Sequence, residues 1–373
     1  MSNPEAQRSG SGRPMLARTA APQYHERLST RSLMWSVIAA LLPAAIWGVY
    51  VYGLRALLVV LMAIIASAVT ETLISGSRET LSDGSAILTG LLLGMMLPPA
   101  VPWYVVIAAA VFAIGVAKWT FGGLGRNWIN PALAGRVFVH FSWTGPMTRW
   151  TMPRTLGADS IAGATPLSIV QNAVHEGQAL LGGPVAILSA SGFPRSTLDS
   201  AVTEWLNLNV LTHIGVHLPA GYVDPFVGNV PGAIGEGSAL LLLVGTLLLF
   251  SRRTISWEIP TAYFAAFAGL AWVVGGLPYG GAAFSGDVLF QLVSGSVIMV
   301  MFYVATDPVT SPLTAAGMLV FGAGAGALTF VIRAYGGAAE GAALAVLFMN
   351  AGTPLINRLT RPRRLGGRRG RRA

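Results

Sequence analysis

The sequence predicts an all-α polytopic membrane protein of about ten transmembrane helices, arranged as two inverted five-helix repeats with broken helices. Three observations predict it. Charged residues make up only 10% of the chain against 53% hydrophobic, whereas soluble domains carry about one quarter charged residues. Apolar runs of about 20 residues recur, long enough to cross about 30 Å of hydrocarbon. LTGLLLGMMLPPAVPW (88–103) parallels LVSGSVIMVMFYVATDPVTSP (292–312). Each is followed by an apolar span, a Gly-Gly turn, and a small-residue helix containing Asn130-Pro131-Ala132 or Asn350-Ala351-Gly352. Interrupted helices in inverted halves place a polar site near the repeat interface.

The spans read in order as 33–54, 56–75, 85–98, 101–119, 129–143, 237–251, 257–275, 287–305, 313–332 and 338–356. The first is too long for a signal-peptide core and reads as a retained helix. Pro98, Pro99 and Pro102 cut the third, and Asn130-Pro131 opens the fifth. The expected organisation is a basic tail (1–32), a first membrane repeat (33–143), an external segment (144–236), a second membrane repeat (237–356) and an Arg-rich tail (357–373).

Charge sets the orientation. The tails carry five and eight arginines, and with Arg78, Lys118, Arg126, Arg252 and Arg253 they put 18 of the 24 basic residues on one side. Arg55, Arg149, Arg154, Arg195 and Arg333 fall on the other, and Arg136 lies within a span. By the positive-inside rule both termini are cytoplasmic, as an even span count requires. The basic tails are thus topology signals, not a nucleic-acid surface. Segment 144–236 then lies outside, with a net charge of −3. The absence of cysteine excludes disulfides and cysteine-held iron–sulfur clusters within this chain.

Few polar groups sit where chemistry could use them. FGGLGRNWINPALAG (121–135) has the glycines of a phosphate loop but no preceding strand and no Gly-Lys-Ser/Thr. It reads as a re-entrant turn capped by Asn127 and Asn130, whose amides can also meet the edge of a flat heterocycle. Asp307-Pro308 marks an Asx turn at the end of a span. Glu71 and Arg136 lie inside spans, where charge is rare and informative; both are candidates for an ion path, and Arg136 is expected to find an acid or a phosphate. Glu340 lies near the start of the last span. His213 and His217 have helical spacing but no third ligand, so no metal is expected. Thr165, in DSIAGATPL (159–167), has small neighbours in Gly163 and Ala164, and Pro166 keeps it out of a helix. An exposed hydroxyl so flanked is permissive for a phosphoester.

Four stretches together resemble the family of homologous membrane subunits formed by the D subunit of Rnf complexes and the B subunit of the sodium-pumping NADH:quinone reductase: DGSAILTGLLLGMMLPP (83–99), GGLGRNWINPALAG (122–135), DSIAGATPL (159–167) and ATDPVTSP (305–312). The resemblance covers about residues 30 to 357. The family's covalent-flavin motif is roughly Asp-Gly-x-Ser/Thr-Gly/Ser-Ala-Thr. Asp159, Gly163, Ala164 and Thr165 match it, while Ser160 replaces the glycine and Ala162 the hydroxyl residue. The resemblance implies FMN joined covalently to Thr165 by a flavin transferase, and a noncovalent riboflavin in the membrane near Asn127 and Asn130, with Asp307 a further contact. It also implies partners: a second flavin subunit, iron–sulfur subunits and the surrounding lipid.

On that basis the chain is expected to relay electrons within a redox-driven, ion-translocating ferredoxin:NAD⁺ oxidoreductase, as one component and not as an enzyme alone. The N-terminal tail of about 30 residues favours the Rnf-type chain over its quinone-reductase counterpart. Inverted repeats and broken helices fit a solute channel or transporter without redox role equally well, and flavin content separates the two.

Overall fold

The computed structural model describes residues 29–77, 79–156, 163–176, 183–277, 281–336 and 341–361. Among them there is no strand, only a single antiparallel bridge between Trp150 and Gly163. Asp159 and Glu340 lie outside the described residues.

The helices run α1 (Thr30–Tyr52), α2 (Leu54–Ser75), α3 (Ser85–Met95), α4 (Trp103–Val111), α5 (Pro131–Ser142), α6 (Thr144–Met147), α7 (Pro166–His175), α8 (Pro184–Ala190), α9 (Thr197–Asn209), α10 (Val223–Val227), α11 (Ala239–Ser251), α12 (Glu258–Val273), α13 (Val288–Val293), α14 (Val297–Met299), α15 (Ala315–Tyr335) and α16 (Gly341–Leu359). α4 continues as a π-helix over Phe112–Trp119, and α14 as one over Val300–Val304. Such wide turns concentrate at functional sites. Among the described residues four helices, α1, α2, α15 and α16, are long and apolar enough to cross a membrane. They turn Ile46, Leu58, Ile65, Leu73 and Val331 outward, an apolar surface too continuous for water and suited to lipid.

Local chemistry explains the boundaries. Ser29 caps α1 by accepting from Ser32 N at 3.2 Å. Gly53, at φ +79°, ends α1 and starts α2 without a loop, beneath the Arg154 guanidinium. The expected span 85–98 stops as a helix at Met95, so its 11 residues amount to only about 16 Å. It is buried on every side, and Arg136 Nε donates to Met96 O at 3.0 Å at its open end. A helix ending inside hydrocarbon needs such a donor for its last carbonyls.

The expected single span 287–305 is corrected: it breaks at Ser294–Ser296, where Gly295 has φ +75°. Arg333 Nη1 donates to Gln291 O at 2.8 Å and Nη2 to Ser294 O at 2.9 Å, satisfying carbonyls released by the break. Arg333, expected outside, is therefore buried, with its guanidinium 5.8 Å from the Phe267 ring centroid. The end of the expected external segment also lies within the helices. Ile234 N donates to Leu97 O at 3.2 Å and Ile234 covers Gly48 of α1, so a boundary at 236/237 cuts through an inserted turn.

Small residues bring the long helices together, as expected where lipid removes the hydrophobic drive between them. A Cβ on Gly322 or Gly326 of α15 would strike the Ile259 or Tyr263 carbonyl of α12, and Tyr263 Oη and Thr329 Oγ1 share a 2.6 Å hydrogen bond across the same contact. Gly326→Val should force the pair apart, costing about 1–3 kcal/mol. An unchanged thermal melt of the detergent-purified variant would dismiss that contact as a determinant of stability.

Helices α7 and α8 form a smaller core of Leu167, Val170, Val185 and Leu188 around Phe290 of α13. Tyr222 Oη donates to Asp287 Oδ2 at 2.5 Å, tying them to the N-cap of α13. Burial, then this bond, pushes the Tyr222 phenol well above its usual range.

Candidate functional site

A cavity of about 760 Å³, its open mouth included, lies where α1, α3, the turn before α5 and the stretch after α14 converge. The mostly apolar lining with a few polar groups is typical of small-molecule sites. Leu88, Leu92, Phe302 and Tyr303 supply apolar wall; Asn127, Asn130, Thr306 and Asp307 supply polar edge.

Asn130 joins two of the motifs. Its Oδ1 accepts from Ala132 N at 3.0 Å and Leu133 N at 3.3 Å, capping α5, while its Nδ2 donates to Asp307 Oδ2 at 3.1 Å. Asp307 Oδ1 accepts from Val309 N at 3.2 Å, the expected Asx turn, and Oδ2 accepts from Thr310 Oγ1 at 3.2 Å. Asn127 is corrected: it caps nothing. Its Nδ2 donates to Ile129 O at 3.2 Å, and its buried Oδ1 has no hydrogen-bond partner among the described residues. Burying an amide oxygen without a partner costs about 1–3 kcal/mol, so a ligand carrying an N–H or O–H at the cavity wall fits. The cavity therefore suits a flat heterocycle with mixed donors and acceptors.

Glu71 does not snorkel. It is buried, and Lys118 Nζ reaches its Oε1 at 2.9 Å and Oε2 at 2.8 Å while also donating to Ser85 Oγ at 2.7 Å. Lys118, counted among the cytoplasmic loop charges, is itself buried at the cavity wall. The spacing of the chain gave no sign that Glu71 and Lys118 meet, although a lysine inside the apolar run 101–119 was a signal that it needs an acid.

Thr165 departs from the expectation of an exposed hydroxyl. The residue is 7% exposed and caps α7. Its Oγ1 accepts from Ser168 N at 3.1 Å and donates to Ser168 Oγ at 2.9 Å. Pro166 takes the first helical position, where its missing N–H costs nothing. A phosphate on Oγ1 would stand at a helix N-terminus, where backbone donors and the helix dipole favour anions. Gly163 bridges to Trp150, and a side chain there would run into Met152 Sδ. Ala164 is exposed. Thr165 opens onto a second pocket, about 400 Å³ with its mouth, lined also by Tyr52, Leu167, Pro231, Glu236, Val293 and Ser294.

Arg136 donates its Nε to the Met96 carbonyl at 3.0 Å. Its charge and that of Arg333 both act on the buried carboxyl of Glu236. Glu236, Tyr52 and Ser294 carried no signal in the chain beyond a glycine-rich stretch and a span interior. Asn350, noted only as a repeat marker, is fully buried, with neither amide atom hydrogen-bonded among the described residues.

Residues 17–366 match the NQR2, RnfD, RnfE family. The chain belongs to that family. Among its relatives, the D subunit of the proton-translocating ferredoxin:NAD(+) oxidoreductase complex of Clostridium ljungdahlii is 38% identical over 344 residues, covering 91% of this chain and 93% of the relative. The D subunit of the Na(+)-translocating ferredoxin:NAD(+) oxidoreductase complex of Acetobacterium woodii is 38% identical over 93% of this chain and 94% of the relative. The D subunit of the ion-translocating oxidoreductase complex of Stutzerimonas stutzeri is 37% identical over 91% and 93%. Against this family background, the two cavities occupy the motifs that carried the resemblance: 122–135 and 305–312 meet at the larger, and Thr165 opens onto the smaller.

Proposed function

We propose that this NQR2, RnfD, RnfE family member is the D-type membrane component of an ion-translocating ferredoxin:NAD⁺ oxidoreductase, carrying FMN on Thr165 and a noncovalent riboflavin in the larger cavity. The observation that carries the reading is the pairing of the two sites by the same two interrupted helices. Ser294, at the start of the α13–α14 break, lines the Thr165 pocket, and Thr306 and Asp307 beyond its far end line the larger cavity. From Ser296 to Thr306 is roughly 15 Å of helix. α3 makes the same passage in the other direction: Ser85 to Leu92 face the larger cavity, and Met95 packs on Gly235 beside Glu236.

When bound, the flavins supply the electron transfer. The chain's residues hold and tune them. Asn127 Oδ1 accepts from the buried ring, Asn130 keeps Asp307 in place beside it, and Leu88, Leu92 and Phe302 exclude water. Thr165 provides the ester oxygen at the α7 N-terminus. Asp307 also serves an ion path; Glu71 serves it only when Lys118 releases its carboxylate. The ten-span inverted arrangement, with both termini cytoplasmic and Thr165 on the periplasmic side of the inner membrane, agrees with this division of sites. A flavin transferase, a second flavin subunit and iron–sulfur subunits complete the system. Because Thr165 is buried as a helix cap, attachment must precede the final seating of α7 or act on a locally opened form.

The test is ultraviolet fluorescence of the denatured chain in a gel, from cells expressing a flavin transferase, beside Thr165→Ala. A fluorescent wild-type band that disappears in the variant supports the reading. A dark wild-type band beside a glowing flavinylated control rejects it, and with it the redox role.

A further inference from the structure

The pocket beside Thr165 is lined by a buried hydroxyl without a hydrogen-bond partner among the described residues, Ser294 Oγ, and by the carboxyl of Glu236, which Ser296 reaches. Both are held in position by other bonds. Ser294 is 2% exposed, and its carbonyl accepts from Arg333 Nη2 at 2.9 Å at the break in α13–α14. Glu236 sits on a short turn, Ile234–Gly237, and its Oε2 accepts from Ala233 N at 3.3 Å. Tyr52 Oη, on the same wall, is already committed as donor to Val230 O at 2.7 Å. Buried polar atoms are nearly always paired. An unpaired hydroxyl and a carboxyl on the walls of the pocket that Thr165 also lines suit a ligand with both acceptor and donor atoms. Pro231, Leu167 and Val293 supply the apolar remainder, the lining a flat ring needs.

We propose that Ser294 and Glu236 are the side chains that contact the ring system carried on Thr165, Ser294 as hydrogen-bond donor and Glu236 as a carboxylate, and that they set its reduction potential in opposite directions. This rests on the covalent-flavin reading. Reduction makes the ring richer in electrons. A donor hydroxyl stabilises that form, and a carboxylate nearby opposes it, more strongly in a site of low dielectric than in water. Burial disfavours the charged form of Glu236, and the charges of Arg136 and Arg333 favour it; these two arginines bind Met96 O and Ser294 O at the open ends of both interrupted helices.

The experiment is a spectroelectrochemical titration of the full-length chain, co-expressed with a flavin transferase, with the Thr165→Ala protein read as the blank for noncovalent flavin. Glu236→Gln should raise the midpoint, and Ser294→Ala should lower it. Each shift should correspond to about tenfold in the reduction equilibrium, about 30 mV for a two-electron couple. Glu236→Asp keeps the charge and should return the midpoint toward wild type, which separates a tuning role from general damage to the fold. Midpoints of Glu236→Gln and Ser294→Ala that match wild type, with the fluorescent Thr165 band intact, overturn this inference and leave the covalent attachment standing. A wild-type chain without the band overturns both.

Discussion

Lys118→Met is expected to destabilise the protein by about 3–5 kcal/mol, the usual cost of removing one member of a buried ion pair. Lys118 and Glu71 are both buried, and the ammonium spends its donors on two carboxylate oxygens and Ser85 Oγ, between 2.7 and 2.9 Å. Removing the cation leaves an unpaired buried carboxylate among α2, α3 and the π-helical end of α4. Glu71→Gln should be damaging for the mirror reason, though less so, because an amide can still accept from Lys118. The double variant Glu71→Met with Lys118→Met should recover most of the loss, since replacing a whole buried pair by apolar groups is often neutral. Thermal unfolding of the detergent-purified proteins, followed by size-exclusion recovery, reads all of these. If Lys118→Met melts with wild type, the pair does not hold the helices together.

The second large effect is on bound flavin. Asn127→Ala should strip the noncovalent flavin from the chain and leave the covalent band untouched. Asn127 is the cleaner choice because it caps no helix: only its Nδ2 bond to Ile129 O is lost besides the ligand contact. Asn130→Ala should also lose the flavin, and with it the α5 cap, worth about 1 kcal/mol, and the bond that holds Asp307. Acid extraction and chromatography of the released flavin, per mole of chain, measures this. Equal amounts released from wild type and Asn127→Ala would move the noncovalent site away from this cavity. Comparing Asp307→Asn adds a distinction. It preserves the Asn130 contact in shape while removing the charge, so a loss of ion transport with flavin retained would assign Asp307 to the ion path.

Much of the architecture was legible in the sequence because its causes are local. Pro98, Pro99 and Pro102 cannot continue a helix, and α3 ends at Met95 just before them. Asn130-Pro131 is a cap followed by a first-turn proline, and α5 starts there with Asn130 accepting from two backbone amides. Two of the resemblance motifs also meet in space: 122–135 and 305–312 are far apart in sequence and joined by one 3.1 Å bond. The break at Ser294–Ser296 was not foreseen, because Ser-Gly-Ser within an apolar run is compatible with an unbroken transmembrane helix. What opens it is Arg333, 39 residues away, supplying donors for the carbonyls that the break releases.

Composition, span length and charge asymmetry determined what kind of molecule this is: a helical chain, with lipid as part of its solvent and little charge to spare within its apolar runs. The motifs determined its family. The tertiary structure decided which charges are paired and which polar atoms face a cavity. Lys118 reads as one of the cytoplasmic-side charges and Arg333 as an external one, yet both are buried. Thr165 reads as an exposed acceptor, yet it is a buried helix cap. Glu236 carries no motif, yet it stands beside Thr165 under the influence of two arginines. The physical reason is range. Helix breaking and capping depend on residues within about one turn. The cost of burying a charge or an amide depends on what comes to meet it, and in this protein the partners come from 39 to 177 residues away.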